Sequence, residues 1–451
     1  MKEDEYKGFE QGPIRPPSEA SSLLLRVTRN CPWNKCTFCS IYKNRDFSLR
    51  SLENIIKDVD LLHTYINKIM HDSDLTLTFD SEKLNKLFNS FEVKDRVAFN
   101  AALHWHSTGM RSIFLQDANS LIMNPDDLVT LLAHIKKRFP LVRRITSYAR
   151  SHTIARISSE NMKRLSVAGL NRIHIGMESG SDRILKMIKK GTDKAGHIKA
   201  GLKVKQAGIE LSEYVMPGLG GIELSIENAL ETAEALNMIN PDFIRIRSLA
   251  LPPRAPLAQQ WENGSFIKCT DLMMAKELRL FIENLYNIDS YIKSDHILNL
   301  IETIDGKMPE DKERLLSILD SFLDMEPEQQ VFYQIGTSPI VSAGTHTFIH
   351  ELIMLAGGKN LAEGPISYPR FSREQVLALS PDVFIITSMA KDMAFERVKA
   401  EWSRWPDLPA VRNESIFLVD SDLFDRPTPR LVDALELLVR LIHPELFEEE
   451  Q

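Results

Sequence analysis

The stretch "SLLLRVTRNCPWNKCTFCS" (residues 22–40) puts three of the chain's four cysteines, Cys31, Cys36 and Cys39, within nine residues. Its apolar start, Leu23 to Leu25, predicts a short buried strand running directly into the cysteines. The spacing is Cys-x4-Cys-x2-Cys. A structural zinc site wants four protein ligands closing a tetrahedron, and no second cysteine pair or histidine pair lies nearby to complete it. Cys269 is single and 230 residues beyond Cys39. The other reading is a cubane iron–sulfur cluster held at three irons by thiolates, with one iron left open for a ligand. A loop at the C-terminal end of a barrel strand suits the second reading better.

Downstream, strand-like runs recur: "SIFLQDAN" (112–119), "RITSYARS" (144–151), "RIHIGMES" (172–179), "ELSEYVMPG" (210–218) and "FIRIRSLAL" (243–251). Between them lie amphipathic stretches such as "SLENIIKDVDLLHTYINKIM" and "PDDLVTLLAHIKKRF", with apolar residues at i, i+3, i+4. Strand–helix alternation of this kind predicts an α/β fold with a parallel sheet, a partial or full β/α barrel. Ligands in such folds sit at the carboxyl ends of the strands.

Residues 1–20 form a Pro-rich N-terminal extension, and the core barrel is expected over 21–265, with 71–110 as an insertion. Residues 266–329 read as a helical extension. Near 330 the texture changes to a second βα pattern, "VFYQIGTSPIVSAG", "PDVFIITS" and "ESIFLVDSD", so 330–451 is expected to be a small Rossmann-like α/β lobe.

Composition narrows the function. A hydrophobic fraction of 43%, a charged fraction of 26% and a net charge of −7 fit a folded chain without the basic field of a nucleic-acid binder. The N-terminus lacks the apolar core of a signal peptide, and no run reaches the roughly twenty apolar residues of a membrane span. The clustered cysteines do not make a disulfide framework. A cytoplasmic protein without membrane or nucleic-acid partners is expected. "PGLGG" (217–221) lacks the Lys-Ser/Thr ending of a P-loop, and Glu448 to Glu450 read as a solvated tail.

These motifs resemble the radical S-adenosylmethionine (SAM) superfamily, whose usual motif is Cys-x3-Cys-x2-Cys; here the first gap is one residue longer. "IHIGMESGSDRILKMIKKG" (173–191) and "GIELSEYVMPGLGG" (208–221) are similar to the fourth and fifth strands of the branch holding the Elongator catalytic subunit and the methylthiotransferases. The resemblance covers roughly residues 20 to 265. It implies a [4Fe-4S] cluster on Cys31, Cys36 and Cys39 with SAM at the open iron. It also implies reductive cleavage of SAM to a 5′-deoxyadenosyl radical that abstracts hydrogen from a substrate. A fourth thiolate would occupy the coordination site that SAM needs.

By the same resemblance Phe38 lies beside the adenine. Gln116 and Asp117, in "LQDAN" where the family has a Gly-Gly-Glu-like turn, meet the SAM amino group, and Glu178 and Ser179 meet the ribose hydroxyls. From the residues themselves, Ser147, Tyr148 and Arg150 are expected at the mouth, and a guanidinium at 150 suits the SAM carboxylate. Arg245 and Arg247 alternate onto one face of the sixth strand, which favours a polar, anion-meeting site there. His104 and His106 are expected on one face of a strand, as structural histidines more readily than ligands. No catalytic residue is assigned.

Residues 330–451 resemble the C-terminal lobe of periplasmic binding proteins for cobalamin, haem and iron-siderophores. The resemblance rests on "IGTSPIVSAGTHTFIHELIMLAGGKNLA", "YPRFSREQVLALSPDVFIIT" and "WPDLPAVRNESIFLVDSDLFDRPTPRLVDALELL". It implies a docking carboxylate at Glu374 and a ligand-facing loop with Phe424 and Arg426. Together these readings predict a radical SAM enzyme acting on a small-molecule substrate such as a tetrapyrrole, with corrinoid, haem or iron metabolism as the class the lobe points to. A flavodoxin, ferredoxin or reductase is expected as electron donor. Two other readings stay open: a tRNA- or small-molecule-modifying radical SAM enzyme, and a non-catalytic iron–sulfur protein that senses or binds a ligand.

Overall fold

A computed structural model describes residues 5–71, 93–296, 298–301, 303–323, 329–337, 339–388, 393–424, 428, 430–444 and 447. The chain divides into two compact units, residues 1–324 and 325–451.

The first unit is built on one eight-stranded sheet: β1 (Leu23–Arg26), β2 (Ser112–Gln116), β3 (Arg144–Ala149), β4 (Arg172–Glu178), β5 (Glu210–Val215), β6 (Phe243–Ile246), β7 (Tyr291–Lys293) and β8 (Gly306–Lys307). Neighbours in the sheet are neighbours in the chain. Every pairing from β1 to β7 is parallel, and β8 alone runs antiparallel to β7. This single winding, with helices in the crossovers, is that of a partial β/α barrel. The segment expected as a helical extension, 266–329, also contributes β7 and β8. Strands of three and two residues carry too little alternation to be read from sequence.

Both faces of the sheet are covered, so β2 is buried at all five positions. Leu23, Leu25, Ile113, Leu115, Ile145, Ile173, Ile175, Leu211 and Ile244 pack into one core with the surrounding helices. The opposite, inner face carries Phe114, Tyr148, His174 and Tyr214 as a cluster of tilted and edge-on rings. Phe114 and Tyr148 are 5.2 Å apart, Tyr148 and His174 5.5 Å, and His174 and Tyr214 5.7 Å. Each such pair adds about 0.5–1.5 kcal/mol beyond its buried area.

The crossover helices carry their own start and stop signals. Over Pro125–Arg138, the Asn124 side chain accepts from the Asp126 N–H. Proline opens the first turn, acids follow at Asp126 and Asp127, and Lys136, Lys137 and Arg138 close the last turn. Ser158 caps Ser159–Ala168, which Gly169 ends at φ 112°.

Within the expected insertion, residues 72–92 lie outside the described residues, and Val93–Ser107 is a helix. His104 and His106 therefore sit on a helix, where positions two apart point to different sides, and the shared strand face is not formed. Trp105 between them is fully buried and donates to the Ser112 carbonyl at 2.8 Å.

The N-terminal extension is fastened to the sheet. Tyr6 donates to Asp58 at 3.0 Å, and Glu10 pairs with Arg29 at 2.6 Å. Glu19, fully buried, accepts from Ser22 at 2.5 Å and lies 3.5 Å from His174. Burial works against its charge, but His174, Ser22 and Arg144 outweigh it and hold the carboxyl below its usual range.

The second unit is a separate α/β lobe. Its central strand, Gln329–Thr337, pairs in parallel with Val383–Ser388, which pairs in parallel with Ile416–Asp420. Ile340–Ser342 adds antiparallel on the other side. Val331, Tyr333 and Ile385 pack on one face with Leu438 and Ile442, and Phe332, Phe384 and Ile386 pack on the other with Trp402. Both faces are covered, as in a doubly wound lobe. Phe424 is fully buried in the first of these cores, 6.4 Å from the Tyr333 ring, so the expected ligand-facing role does not hold for it. Arg426 and Glu448 to Glu450 lie outside the described residues. Glu374 is exposed in the first turn of Arg373–Leu379.

Candidate functional site

Cys31, Cys36 and Cys39 are free thiols of intermediate exposure on the loop following β1. Among the described residues no three cysteine, histidine or acidic side chains close into a preformed metal cage. The thiols are nonetheless mutual electrostatic neighbours. Burial, then Glu178 and Cys39, push Cys36 up against Lys190 and Arg150, and burial, Cys31 and Glu178 push Cys39 up. Three soft donors on one loop, faced by two cations, suit a group bound through thiolates.

Much of this loop's structure is held by the segment after β4. Trp33 Nε1 donates to the Lys189 carbonyl at 2.7 Å, and Thr37 N–H donates to the Ile188 carbonyl at 2.9 Å. Arg150 donates to the Lys190 carbonyl at 2.8 Å and lies 4.9 Å over the Trp33 ring. Gly191, at φ 75°, leaves the space that the Trp33 ring fills. Asn34, at φ 48°, turns the chain back and donates to the Tyr42 carbonyl at 2.6 Å. The extra residue of the first gap thus lies in a turn that docks Trp33 on the β4 side.

Each residue singled out from sequence has a definite setting. Glu178 follows a register shift in the β4–β5 pairing and has φ 69°, a conformation rare for a residue with a Cβ. Its carboxylate binds Lys190 Nζ at 2.8 Å. Burial works to lower the Lys190 ammonium, but Glu178 and Cys36 outweigh it and hold it above the ordinary lysine value. Phe38 lies under the same ammonium at 5.8 Å. Ser179 is fully buried and accepts from the Ser181 N–H at 3.1 Å. Burial lowers Arg150 while Cys31 and Cys36 oppose it.

Other expected ligands are turned inward or already engaged. Ser147 shares the core-packed face of Ile145 and Ala149 and donates to the Tyr148 carbonyl at 3.0 Å. Tyr148, one residue on, takes the inner face, as strand alternation requires. The Gln116 carboxamide accepts from the Gly12 N–H at 2.8 Å and donates to the Gly12 and Ile14 carbonyls. The Asp117 carboxylate binds Arg26 and the Asn30 N–H.

The sequence put Arg245 and Arg247 on one face of β6 but did not give their partners, and it missed a second part of this end of the barrel. Arg245 donates to Ser212 at 3.1 Å and pairs with Asp295, while Arg247 contacts His296 at 2.9 Å. The signal was "SDH" (294–296) directly after a short strand. The second part is Glu277, almost fully buried, which accepts from Gly218 N–H at 3.0 Å, Ser225 at 2.5 Å and Asn228 at 2.7 Å. It anchors the "PGLGG" turn. Cys269 is buried beside it, its thiol pushed up to about 11 by burial and by Glu277.

Among the described residues no helix is long and apolar enough to cross a membrane. Residues 25–233 match the Radical SAM superfamily, and residues 293–423 match the periplasmic binding protein family, the latter match beginning inside the first compact unit. The chain is 27% identical over 235 residues to an uncharacterized ABC transporter substrate-binding lipoprotein, YvrC, of Bacillus subtilis, covering 51% of this chain and 69% of that one. It is 27% identical over 260 residues to the vitamin B12-binding protein of Vibrio cholerae, covering 57% of this chain and 87% of that one. The solved Elp3 of the archaeon Methanocaldococcus infernus aligns with a TM-score of 0.36 at 16% identity, over 47% of this chain and 54% of that one. The radical SAM superfamily uses a [4Fe-4S] cluster and SAM, and Cys31, Cys36 and Cys39 all lie within the matched residues, whereas Cys269 lies outside them. The chain carries an N-terminal radical SAM enzyme domain followed by a C-terminal domain of the periplasmic-binding-protein type.

Proposed function

We propose that this chain reductively cleaves SAM to generate a 5′-deoxyadenosyl radical that acts on a small molecule of corrinoid, haem or iron metabolism. The observation that carries the reading is the three-thiol loop at the C-terminal end of β1, faced by Arg150 and by the Glu178–Lys190 pair. When bound, the cluster supplies one electron to the sulfonium of SAM.

The chain's own residues do the positioning. Cys31, Cys36 and Cys39 would hold three irons, and the absence of a fourth thiol on the loop leaves one iron for SAM. Arg150, with no carboxylate partner among the described residues, offers its guanidinium beside the cysteines. The Glu178 carboxylate, oriented by Lys190, suits hydroxyl groups of a ribose. Phe38 provides a flat apolar surface beside the loop. The substrate class is supported by the likeness of residues 293–423 to periplasmic binding proteins and by the vitamin B12-binding relatives. A flavodoxin, a ferredoxin or a dedicated reductase would deliver the electron.

The test is anaerobic reconstitution with iron and sulfide, followed by dithionite and SAM. The expected result is 5′-deoxyadenosine from the wild type and none from Cys36→Ala, with Cys269→Ala unaffected. Full cluster loading without any deoxyadenosine would sink the reading.

A further inference from the structure

Around the inner face of the barrel almost every cation has a matched anion. Lys190 binds Glu178, Arg26 binds Asp117, Arg245 binds Asp295, Arg144 reaches Glu19 and Arg172 binds Glu210. Arg150 lies beside Cys31 and Cys36. Arg247 is different. It is half-buried, and among the described residues its side chain bonds only to His296, from Nη2 to Nε2 at 2.9 Å. A guanidinium withdrawn from water without an anion is costly.

The histidine makes the position odder. His296 Nδ1 accepts from the Leu298 N–H at 3.1 Å, so N–H donors approach both ring nitrogens. Burial, and then Arg247, lower this ring from the ordinary histidine value, with Asp295 opposing them. A neutral imidazole accepts at one nitrogen only, so one of the two contacts sets donor against donor. Nearby, on a residue 6% exposed, the buried Tyr214 hydroxyl is engaged by the Tyr148 hydroxyl and, among the described residues, has no other polar group to accept its proton. Tyr214 stands opposite Arg245 in the β5–β6 register, and its ring is 6.1 Å from that of half-buried Tyr148. Both phenols lie within electrostatic reach of Arg247.

We propose that Arg247, His296 and the Tyr214 hydroxyl form the oxyanion-recognising end of the substrate site, so that the substrate carries a carboxylate or phosphate group. The proposal rests on the radical SAM reading above. An oxyanion accepts from the Arg247 fork and from His296 Nε2–H together, which removes the donor–donor conflict and supplies the missing charge. The Tyr214 hydroxyl then gains an acceptor. Arg245, held by Asp295 and Ser212, fixes the wall behind it.

The experiment is calorimetric titration of the full-length, cluster-reconstituted protein with inorganic phosphate and, separately, with acetate; the two arms distinguish the two anion types. One of them is expected to bind with one-to-one stoichiometry. Arg247→Gln should weaken that binding about tenfold or more, Arg247→Lys less, and Tyr214→Phe about fivefold. Circular dichroism and iron per chain report whether each variant folds. Should Arg247→Gln misfold, Tyr214→Phe, which deletes one oxygen, decides alone. Absence of binding in the wild type, or unchanged binding in the variants that fold, overturns the proposal. The titration contains no SAM, so loss of deoxyadenosine formation overturns the enzyme reading separately from this one.

Discussion

Asp117 Oδ2 accepts the backbone N–H of Asn30 at 3.1 Å while Arg26 grips the same oxygen at 2.7 Å. Asn30, at φ 65°, immediately precedes Cys31, so the turn after β2 sets where the cysteine loop begins. The same turn holds the N-terminal extension through Gln116 and Gly12, and a Cβ on Gly12 would overlap the Asp117 carboxylate. Extension, turn and cysteine loop are therefore one hydrogen-bonded unit.

Asp117→Ala should break that unit. Removing one partner of a buried ion pair costs about 3 kcal/mol or more, and here the Asn30 N–H is also left unpaired. Lower thermal stability and lower iron and sulfide per chain after anaerobic reconstitution are expected. Wild-type iron loading with an unchanged melting temperature would rule out the brace.

Glu277 gives a pH signature far from the cysteines. Burial raises its carboxyl from 4.5 to about 6, against hydrogen bonds from Ser225, Gly218 and Asn228. The folded state therefore binds this proton more tightly than the unfolded chain does. The resulting stabilisation is fully present below about pH 4.5 and is lost as pH rises through about 6, a change of about 2 kcal/mol. Glu277→Gln removes the ionisation, and its amide can still accept from Gly218 and Asn228 and donate to Ser225. The variant's stability relative to wild type should rise by about that amount between pH 4.5 and 7. A difference in melting temperature that stays flat over this range would contradict the assignment.

The sequence made the barrel legible because each strand carries both an apolar core face and a distinct end. The runs that hold β1, β2 and β4, strands of four, five and seven residues, are long enough to be read as buried strands. The cysteine loop was legible because thiols have few other uses at that spacing. What failed was orientation and pairing. Ser147 and Tyr148 look equivalent in a string, yet alternation sends one into the core and the other to the inner ring cluster. Gln116 and Asp117 look like free ligands, but the groups that engage them, Gly12 and Arg26, lie 104 and 91 residues away. His104 and His106 misled because an alternating polar–apolar triplet fits a helix as easily as a strand.

The longer first gap of the cysteine motif makes a further prediction. Gly191→Ala must place a side chain at φ 75° and push it into the Trp33 ring. Gly264 has a similar φ, 78°, with open space around its missing Cβ, so Gly264→Ala carries the backbone cost of about 1 kcal/mol alone. Gly191→Ala should destabilise by more than this control, shift the tryptophan fluorescence and lower iron loading. Equal behaviour of the two variants would mean that Trp33 docking does not shape the loop.

In the second unit Phe424 separates a core role from a ligand-facing one. Its ring is fully buried among Val331, Tyr333, Ile385 and Leu438, so Phe424→Ala leaves a cavity that neighbours on a packed sheet fill only partly. The expected loss is about 3–5 kcal/mol, seen as an earlier unfolding transition of the C-terminal unit in denaturant. Phe424→Leu keeps most of the apolar volume and should recover much of that stability. If Phe424→Ala instead left the unfolding transition in place and changed only cobalamin or haem binding to the full chain, the residue would face a ligand after all. The observed packing, with Tyr333 6.4 Å away on the central strand, argues for the first outcome.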